Sequence, residues 1–257
     1  MTGIGIDIGS SCAKAAVTEN GAVLFLEQMP TGWSSKDTAE ALRQKLCAAG
    51  FDPAQHPCIA TGYGRVVVPY AQKAVTEITC HAKGAQALFG REDLDIVDIG
   101  GQDTKVICLR GGSVKDFLMN DKCSAGTGRF LEVMANTLGM DPASMIALAA
   151  KGKDAGISSM CTVFAESEVI SLIGKGEPKE NIACAVVASI ARKIASQASR
   201  LREAGVSAVL TGGLCEASYL QKALGEAMGA PIASCPQARY AGAIGAALLA
   251  EKLQRRA

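Results

Sequence analysis

Cys123 and Cys161 have the surroundings that most invite chemistry. Cys123 lies in Asn120-Asp121-Lys122-Cys123-Ser124-Ala125-Gly126-Thr127-Gly128, a polar approach to the helical pattern of Phe130, Leu131, Met134 and Leu138. Cys161 follows Ser158-Ser159-Met160 and precedes a segment with Val163, Ile170 and Ile173 on one helical side, closing at Gly174. Each thiol thus reads as sitting near a helix N-terminus, where N–H donors and the positive end of the dipole favour thiolate and stabilise anionic sulfur. Two thiolates per chain make half of a four-cysteine iron–sulfur ligand set, and a twofold axis would supply the other half. Two other readings stay open on these residues: a redox-active disulfide between Cys123 and Cys161, or burial as small hydrophobes. Burial is the expectation for Cys47, Cys58, Cys80, Cys108, Cys184, Cys215 and Cys235.

A second set of residues suits phosphate. Strand-like Gly3 to Ile8 runs into Asp7-Ile8-Gly9-Ser10-Ser11, and Leu94 to Ile99 runs into Asp98-Ile99-Gly100-Gly101-Gln102-Asp103. A glycine turn after a strand lets backbone N–H groups approach phosphate oxygens, and a nearby carboxylate can hold Mg²⁺ through water. Asp7 and Asp103 suit the Mg²⁺ role. Gly9, Ser10, Ser11 and Lys14 suit the phosphates, with Gly100 and Gly101 facing them from a second domain; Cys12, Ala13 and Gln102 lie in the same turns. A third turn, Thr211-Gly212-Gly213, could admit a nucleoside. Singly, such turns are more often structural, and Lys14 alone reads equally as a solvated strand residue. The absence of G-x4-G-K-[ST] excludes the P-loop class.

The elements that must position these residues form one pattern written twice. Lys14 to Thr18 and Ala22 to Leu26 flank Asn20-Gly21, a pair suited to a type I′ hairpin turn. Lys105 to Leu109 and Val114 to Leu118 flank Gly111-Gly112 in the same way. Aligned, the copies share D-I-G-x-x-x-x-K at Asp7 to Lys14 and at Asp98 to Lys105. Helix-like stretches follow at Lys36 to Ala49, Phe130 to Leu138 and Ile182 to Ala204, each closed by glycine. The expected architecture is α/β, with two related domains at 1–92 and 93–257, a C-terminal helix packing back on the first, and ligand in the cleft between them.

Composition narrows the classes. The chain of 257 residues is 49% hydrophobic and 4% aromatic, enough for one large core or two modest ones. Twenty-six basic against 25 acidic residues leave a net charge of +1, so no broad field favours nucleic acid or an anionic membrane. Apolar runs such as Ala241 to Ala250 fall short of the roughly 20 residues that span a bilayer. No secretory signal pattern opens the sequence, so a cytoplasmic location is expected. In that compartment 10 cysteines suggest free thiols or metal ligands, and none are spaced C-x2-C or C-x4-C as in a self-contained zinc or ferredoxin site.

Longer motifs add a resemblance. GIGIDIGS at 3–10, TGYGR at 61–65, EITCHAKGA at 77–85, DIGGQDTKVI at 98–107, MNDKCSAGTGRFLEVMA at 119–135, SSMCTVFAESEVIS at 158–171, TGG at 211–213 and GAIGAA at 242–247 run in order along nearly the whole chain. In these the chain resembles the ATP-dependent activators of 2-hydroxyglutaryl-CoA dehydratase (component A), within the wider BadF-BadG-BcrA-BcrD ATPase family that includes the ATPase subunits of benzoyl-CoA reductase. The resemblance implies two duplicated ribonuclease H-like domains of the acetate and sugar kinase, Hsp70 and actin superfamily. It implies ATP/ADP with Mg²⁺ as ligand, Ala238 among the nucleotide contacts, and a homodimer sharing one oxygen-sensitive [4Fe-4S] cluster through Cys123 and Cys161. The activity implied is ATP-driven one-electron transfer from reduced flavodoxin or ferredoxin to an iron–sulfur dehydratase or related reductase. The rival readings are a small-molecule kinase of the same fold and an activator of a benzoyl-CoA reductase-like or double-cubane-cluster partner.

Two positions depart from the family pattern: Ser124, where Ala is common, and Cys12, where small residues are usual. Cys12 would make the nucleotide turn sensitive to thiol reagents. Glu77, Glu166 and Glu168 read equally as solvated helix carboxylates, and His56 and His81 as structural or surface residues.

Overall fold

A computed structural model of the chain describes residues 2–159 and 161–253; Met160 of the Cys161 motif, and residues 254–257 at the end of the expected second domain, lie outside the described residues. The elements in chain order are β1 (Thr2–Ile8), β2 (Cys12–Glu19), β3 (Ala22–Pro30), α1 (Ser35–Ala48), β4 (Cys58–Thr61), β5 (Lys73–Ala74) and α2 (Glu77–Phe89). They continue with β6 (Leu94–Ile99), β7 (Thr104–Arg110), β8 (Ser113–Asn120), α3 (Gly128–Thr137), α4 (Pro142–Ala149), α5 (Thr162–Gly174) and α6 (Lys179–Ala198). The last are β9 (Ala208–Gly212), α7 (Ser218–Met228), β10 (Ile232–Ala233) and α8 (Ala241–Ala250).

One sheet has the order β3-β2-β1-β4-β5 and the other, read from its far edge, β8-β7-β6-β9-β10. Strand for strand these are the same sheet, which is what the repeated D-I-G unit led us to expect. The first hairpin turns at Asn20 (φ 51°) and Gly21 (φ 86°), the two left-handed residues a type I′ turn requires. The second turns at Gly111 (φ 56°) and Gly112 (φ 71°). β1 lies antiparallel to β2, with Asp7 opposite Lys14, and parallel to β4. β6 lies parallel to β9, with Asp98 opposite Thr211 and Ile99 opposite Gly212.

The chain forms two compact units, Met1–Leu94 with Leu109–Lys115 and Gln237–Ala257, and Asp95–Cys108 with Asp116–Pro236. In the first, Ile4, Ile6 and Ile8 of β1 meet Leu42 and Leu46 of α1 in a dry core. α8 packs on the other face of that sheet through Ala243, Ile244 and Ala247. Its approach to α2 is backbone to backbone: a Cβ on Gly245 would strike the Cys80 carbonyl, and one on Gly84 the Ala241 carbonyl. In the second unit, α6 buries Ile182, Val186, Ile190 and Ile194.

α6 stops at Ala198, short of the expected Ala204. The chain leaves the helix so that Arg202 reaches buried Asp95 at 3.4 Å, with its Nη1 donating to the Met228 carbonyl at 2.9 Å. Cys235, half-buried, and Cys47 are corrections to the buried set, Cys47 the larger one. It is exposed, because α1 turns Thr38, Ala39, Leu42 and Leu46 inward and leaves the next position facing solvent. Among the described residues no helix is long and apolar enough to cross a membrane.

Candidate nucleotide turns and thiol pair

In the first unit, the turn after β1 closes with Gly9 N–H donating to the Cys12 carbonyl at 3.1 Å. Thr31 holds the turn from outside: its hydroxyl donates to Gly9 O at 2.8 Å and its N–H to Ser11 O at 2.9 Å. Those carbonyls therefore face the scaffold, while Ser10 and Ser11 are exposed. Asp7 is buried at the end of β1, with its carboxylate against Gly62 and Gly242. A Cβ on Gly242 would lie 2.5 Å from Asp7 Oδ2 and 2.9 Å from His81 Nε2, so the buried His81 shares that pocket and has a structural place. Lys14 is half-buried and Ala13 buried. Ala238, expected among the nucleotide contacts, lies in the turn Pro236–Tyr240 and is fully buried.

The second unit repeats the turn with different side-chain bookkeeping. Gly100 N–H donates to the Asp103 carbonyl at 2.9 Å, and Gln102 is exposed. Lys105, the counterpart of Lys14, is buried; its Nζ lies 2.8 Å from Asp103 Oδ1 and 3.4 Å from Asp98 Oδ2. Asp98 in turn accepts from the Thr211 hydroxyl at 2.8 Å. This network runs from the Asp103 turn to the Gly212-Gly213 turn, where Gly212 is left-handed (φ 92°) and closely backed by Ile99. Asp98, Lys105 and Thr211 were not singled out as site residues from sequence. The repeat itself carried the signal, since Asp98 and Lys105 sit at the offset of Asp7 and Lys14.

The cysteines divide by environment. Cys58, Cys80, Cys108, Cys184 and Cys215 are buried, whereas Cys123 and Cys161 are exposed. Burial pushes the thiols of Cys58 and Cys80 up to about 12, as expected of inert core residues. Cys161 caps α5, as anticipated. Cys123 does not start a helix: α3 begins at Gly128, and its first amides go elsewhere. Gly128 N–H donates to Gly100 O at 2.9 Å and Arg129 N–H to Gly101 O at 2.7 Å. The helix start is thus spent on the Gly100 and Gly101 carbonyls instead of on a thiol.

Side chains close the Cys123 loop instead. The Asn120 carboxamide donates to Cys123 O and to Ala125 O, each at 2.9 Å, and accepts from Cys123 N–H at 3.3 Å. The Thr104 hydroxyl donates to Gly126 O at 2.5 Å, and that of Thr127 to Ser124 O at 2.7 Å. Ahead of Cys161 the bracket is Glu168. Its carboxylate accepts from Ser158 N–H at 2.8 Å, Ser158 Oγ at 3.0 Å and Ser159 N–H at 3.1 Å, and also from Ser159 Oγ. The Ser159 hydroxyl, followed by the Ser158 N–H, holds the Glu168 carboxyl below its ordinary range. Glu166 accepts from Thr137 Oγ1 at 3.1 Å. Both glutamates are therefore engaged in holding the loop or bracing α3 against α5.

The likeness to known proteins runs along nearly the whole chain. A family model described as the BadF/BadG/BcrA/BcrD ATPase family matches residues 4–250. The chain belongs to that family. The (R)-2-hydroxyglutaryl-CoA dehydratase activating ATPase of Acidaminococcus fermentans is 39% identical over 255 residues, 97% of this chain and 96% of that protein. The crystal structure of component A of the dehydratase from the same organism superposes with a TM-score of 0.93 at 38% identity, covering 99% of each chain. An activator of 2-hydroxyisocaproyl-CoA dehydratase from Clostridium difficile, solved with bound ADPNP, gives 0.91 at 34%, covering 100% of this chain and 98% of that one. A ROK-family glucokinase from Streptomyces griseus, at a TM-score of 0.63 and 15% identity over 98% of this chain and 100% of that one, shares the fold alone. This BadF/BadG/BcrA/BcrD ATPase therefore has the actin, Hsp70 and sugar-kinase fold, and the two relatives above 30% identity just described are dehydratase activators.

Proposed function

We propose that this protein is an ATP-dependent one-electron donor that activates an iron–sulfur dehydratase of the 2-hydroxyacyl-CoA type, receiving its electron from reduced flavodoxin or ferredoxin in the cytoplasm. The observation that carries the reading is the pair Cys123 and Cys161: both exposed, in a chain whose other motif cysteine, Cys80, is buried, and borne on segments joined at their next residues.

The donor set fits a shared [4Fe-4S] cluster. Among the described residues no group of three or more His, Cys, Asp or Glu is placed to hold a metal within one chain. Two thiols from each of two protomers would complete four. α5, which Cys161 caps, supports the second copy: Val163 is 66% exposed, Phe164 65% and Ile170 57%, an apolar face of the kind that marks an interface. Loaded, the cluster supplies a low-potential one-electron couple.

The remaining roles fall to the turns. Backbone N–H groups of the turns at Ser10-Ser11 and at Gly101-Gln102 would bind ATP phosphates, Gly212 and Gly213 the nucleoside, with Lys14 as the available ammonium. Asp7 would organise Mg²⁺ and water. Lys105 neutralises Asp103 in this state, which suits Asp103 to orienting a water more than to binding metal directly. Hydrolysis then makes electron delivery directional.

Anaerobic purification with iron counting and absorption spectroscopy tests the proposal. Four iron atoms per dimer are expected, with loss of colour and retention of ATP binding in Cys123→Ser and Cys161→Ser. Full cluster content in both variants would remove the assignment.

A further inference from the structure

The loop around Cys123 and the segment around Cys161 are each held by their own anchors, Asn120, Thr104 and Thr127 for the first and Glu168 for the second. Ser124 Oγ and Thr162 Oγ1, 2.7 Å apart, join one to the other. These hydroxyls belong to the residues immediately after the two cysteines, and both are half-buried, where a neutral hydrogen bond is less exposed to competition from water. Thr137 Oγ1 and Glu166 Oε1 tie the last residue of α3 to α5 about one turn beyond Thr162. The pair of segments is thus braced twice, and the brace beside the thiols depends on a hydroxyl at position 124.

We propose that Ser124 is a positioning residue: its bond to Thr162 sets the separation of the Cys123 and Cys161 thiols within one protomer before any second copy or iron arrives. A ligand pair preset in this way loses less conformational freedom on binding metal, so the tie acts on cluster retention without touching the metal. Ser124 and Thr162 form a pair of equal partners, which makes the claim testable by a double-mutant cycle.

The test reads amide hydrogen exchange in the full-length, iron-free protein, and separately the release of iron to a chelator from the anaerobically loaded protein. Ser124→Ala should speed exchange at Ala165, whose N–H donates to Cys161 O across the gap from the substitution, by about five-fold, the size expected of one neutral hydrogen bond. Thr162→Val should do the same at Thr127, whose N–H donates to Ser124 O, and the double variant should add nothing further. Exchange in β6 and α6 reports the global fold and should not change. The iron readout rests on the proposed function, and there each variant should release iron several-fold faster. Unchanged exchange across the gap in either variant, additive effects in the double variant, or unchanged iron release would overturn the proposal. Coupled exchange in a protein that never takes up iron would uphold the tie and remove the electron-donor reading instead.

Discussion

Lys105 and Asp103 form an ion pair of 2.8 Å in which the lysine side chain is only 3% exposed. A second carboxylate, Asp98, stands 3.4 Å away on the other side. A buried ammonium between two carboxylates is tolerated because each partner removes the cost of the others.

Removing the ammonium alone should therefore be costly. Lys105→Met is expected to destabilise the protein by about 3–5 kcal/mol through the uncompensated buried charge, and to lower ATPase activity at least tenfold by freeing Asp103 to reorient. Adding Asp98→Asn should recover part of the stability and none of the activity. Calorimetric Tm and steady-state ATPase rates of the single and double variants check both halves.

Glu168 gives a pH dependence. Its carboxyl titrates below its ordinary value in the folded chain, so the bracket on Ser158 and Ser159 is fully present above the unfolded glutamate pKa and is lost as pH falls through the lower, folded one. Amide shifts of Ser158 and Ser159 should stay flat down to the ordinary glutamate range and move only beneath it. In Glu168→Ala they should be displaced already at neutral pH.

Thiol chemistry should sort the cysteines. Iodoacetamide at mildly alkaline pH is expected to label Cys47, Cys123 and Cys161 of the iron-free protein within the time that leaves Cys58 and Cys80 intact, since burial keeps the last two protonated. Modification of half-buried Cys12 should abolish ATPase activity, because the adduct would sit inside the Gly9–Cys12 turn. Peptide mass spectrometry alongside ATPase assays follows both.

The exposed face of α5 predicts its own consequence. Phe164→Glu with Ile170→Glu should leave the monomer folded, because neither side chain belongs to the core, while abolishing the proposed dimer. Sedimentation velocity and far-UV circular dichroism separate those outcomes, and iron content should fall with the dimer.

Local chemistry made much of this legible in the sequence. The hairpin at Asn20-Gly21 and the repeated Asp-Ile-Gly turns depend on residues a few positions apart, and the sheets follow them. What escaped depends on distant partners. Strand alternation shows that Lys105 points inward or outward, but not that Asp98 and Asp103 wait there. Cys123 reads as near a helix start because the helical pattern of Phe130, Leu131, Met134 and Leu138 follows its segment, yet Thr104 and Asn120 hold its loop open as far as Thr127. Glu168 looked solvated because its partners, Ser158 and Ser159, lie before the helix begins.

The join between the Gly100-Gly101 turn and the start of α3 is made entirely of peptide groups. Gly128 permits it, since a Cβ there would come within 3.0 Å of the Gly100 oxygen. A linkage written in main chain does not care which side chains surround it. Substitution at exposed Gln102 or Arg129 can therefore change local charge while the main-chain tether from the Gly100-Gly101 turn to α3 stays in place.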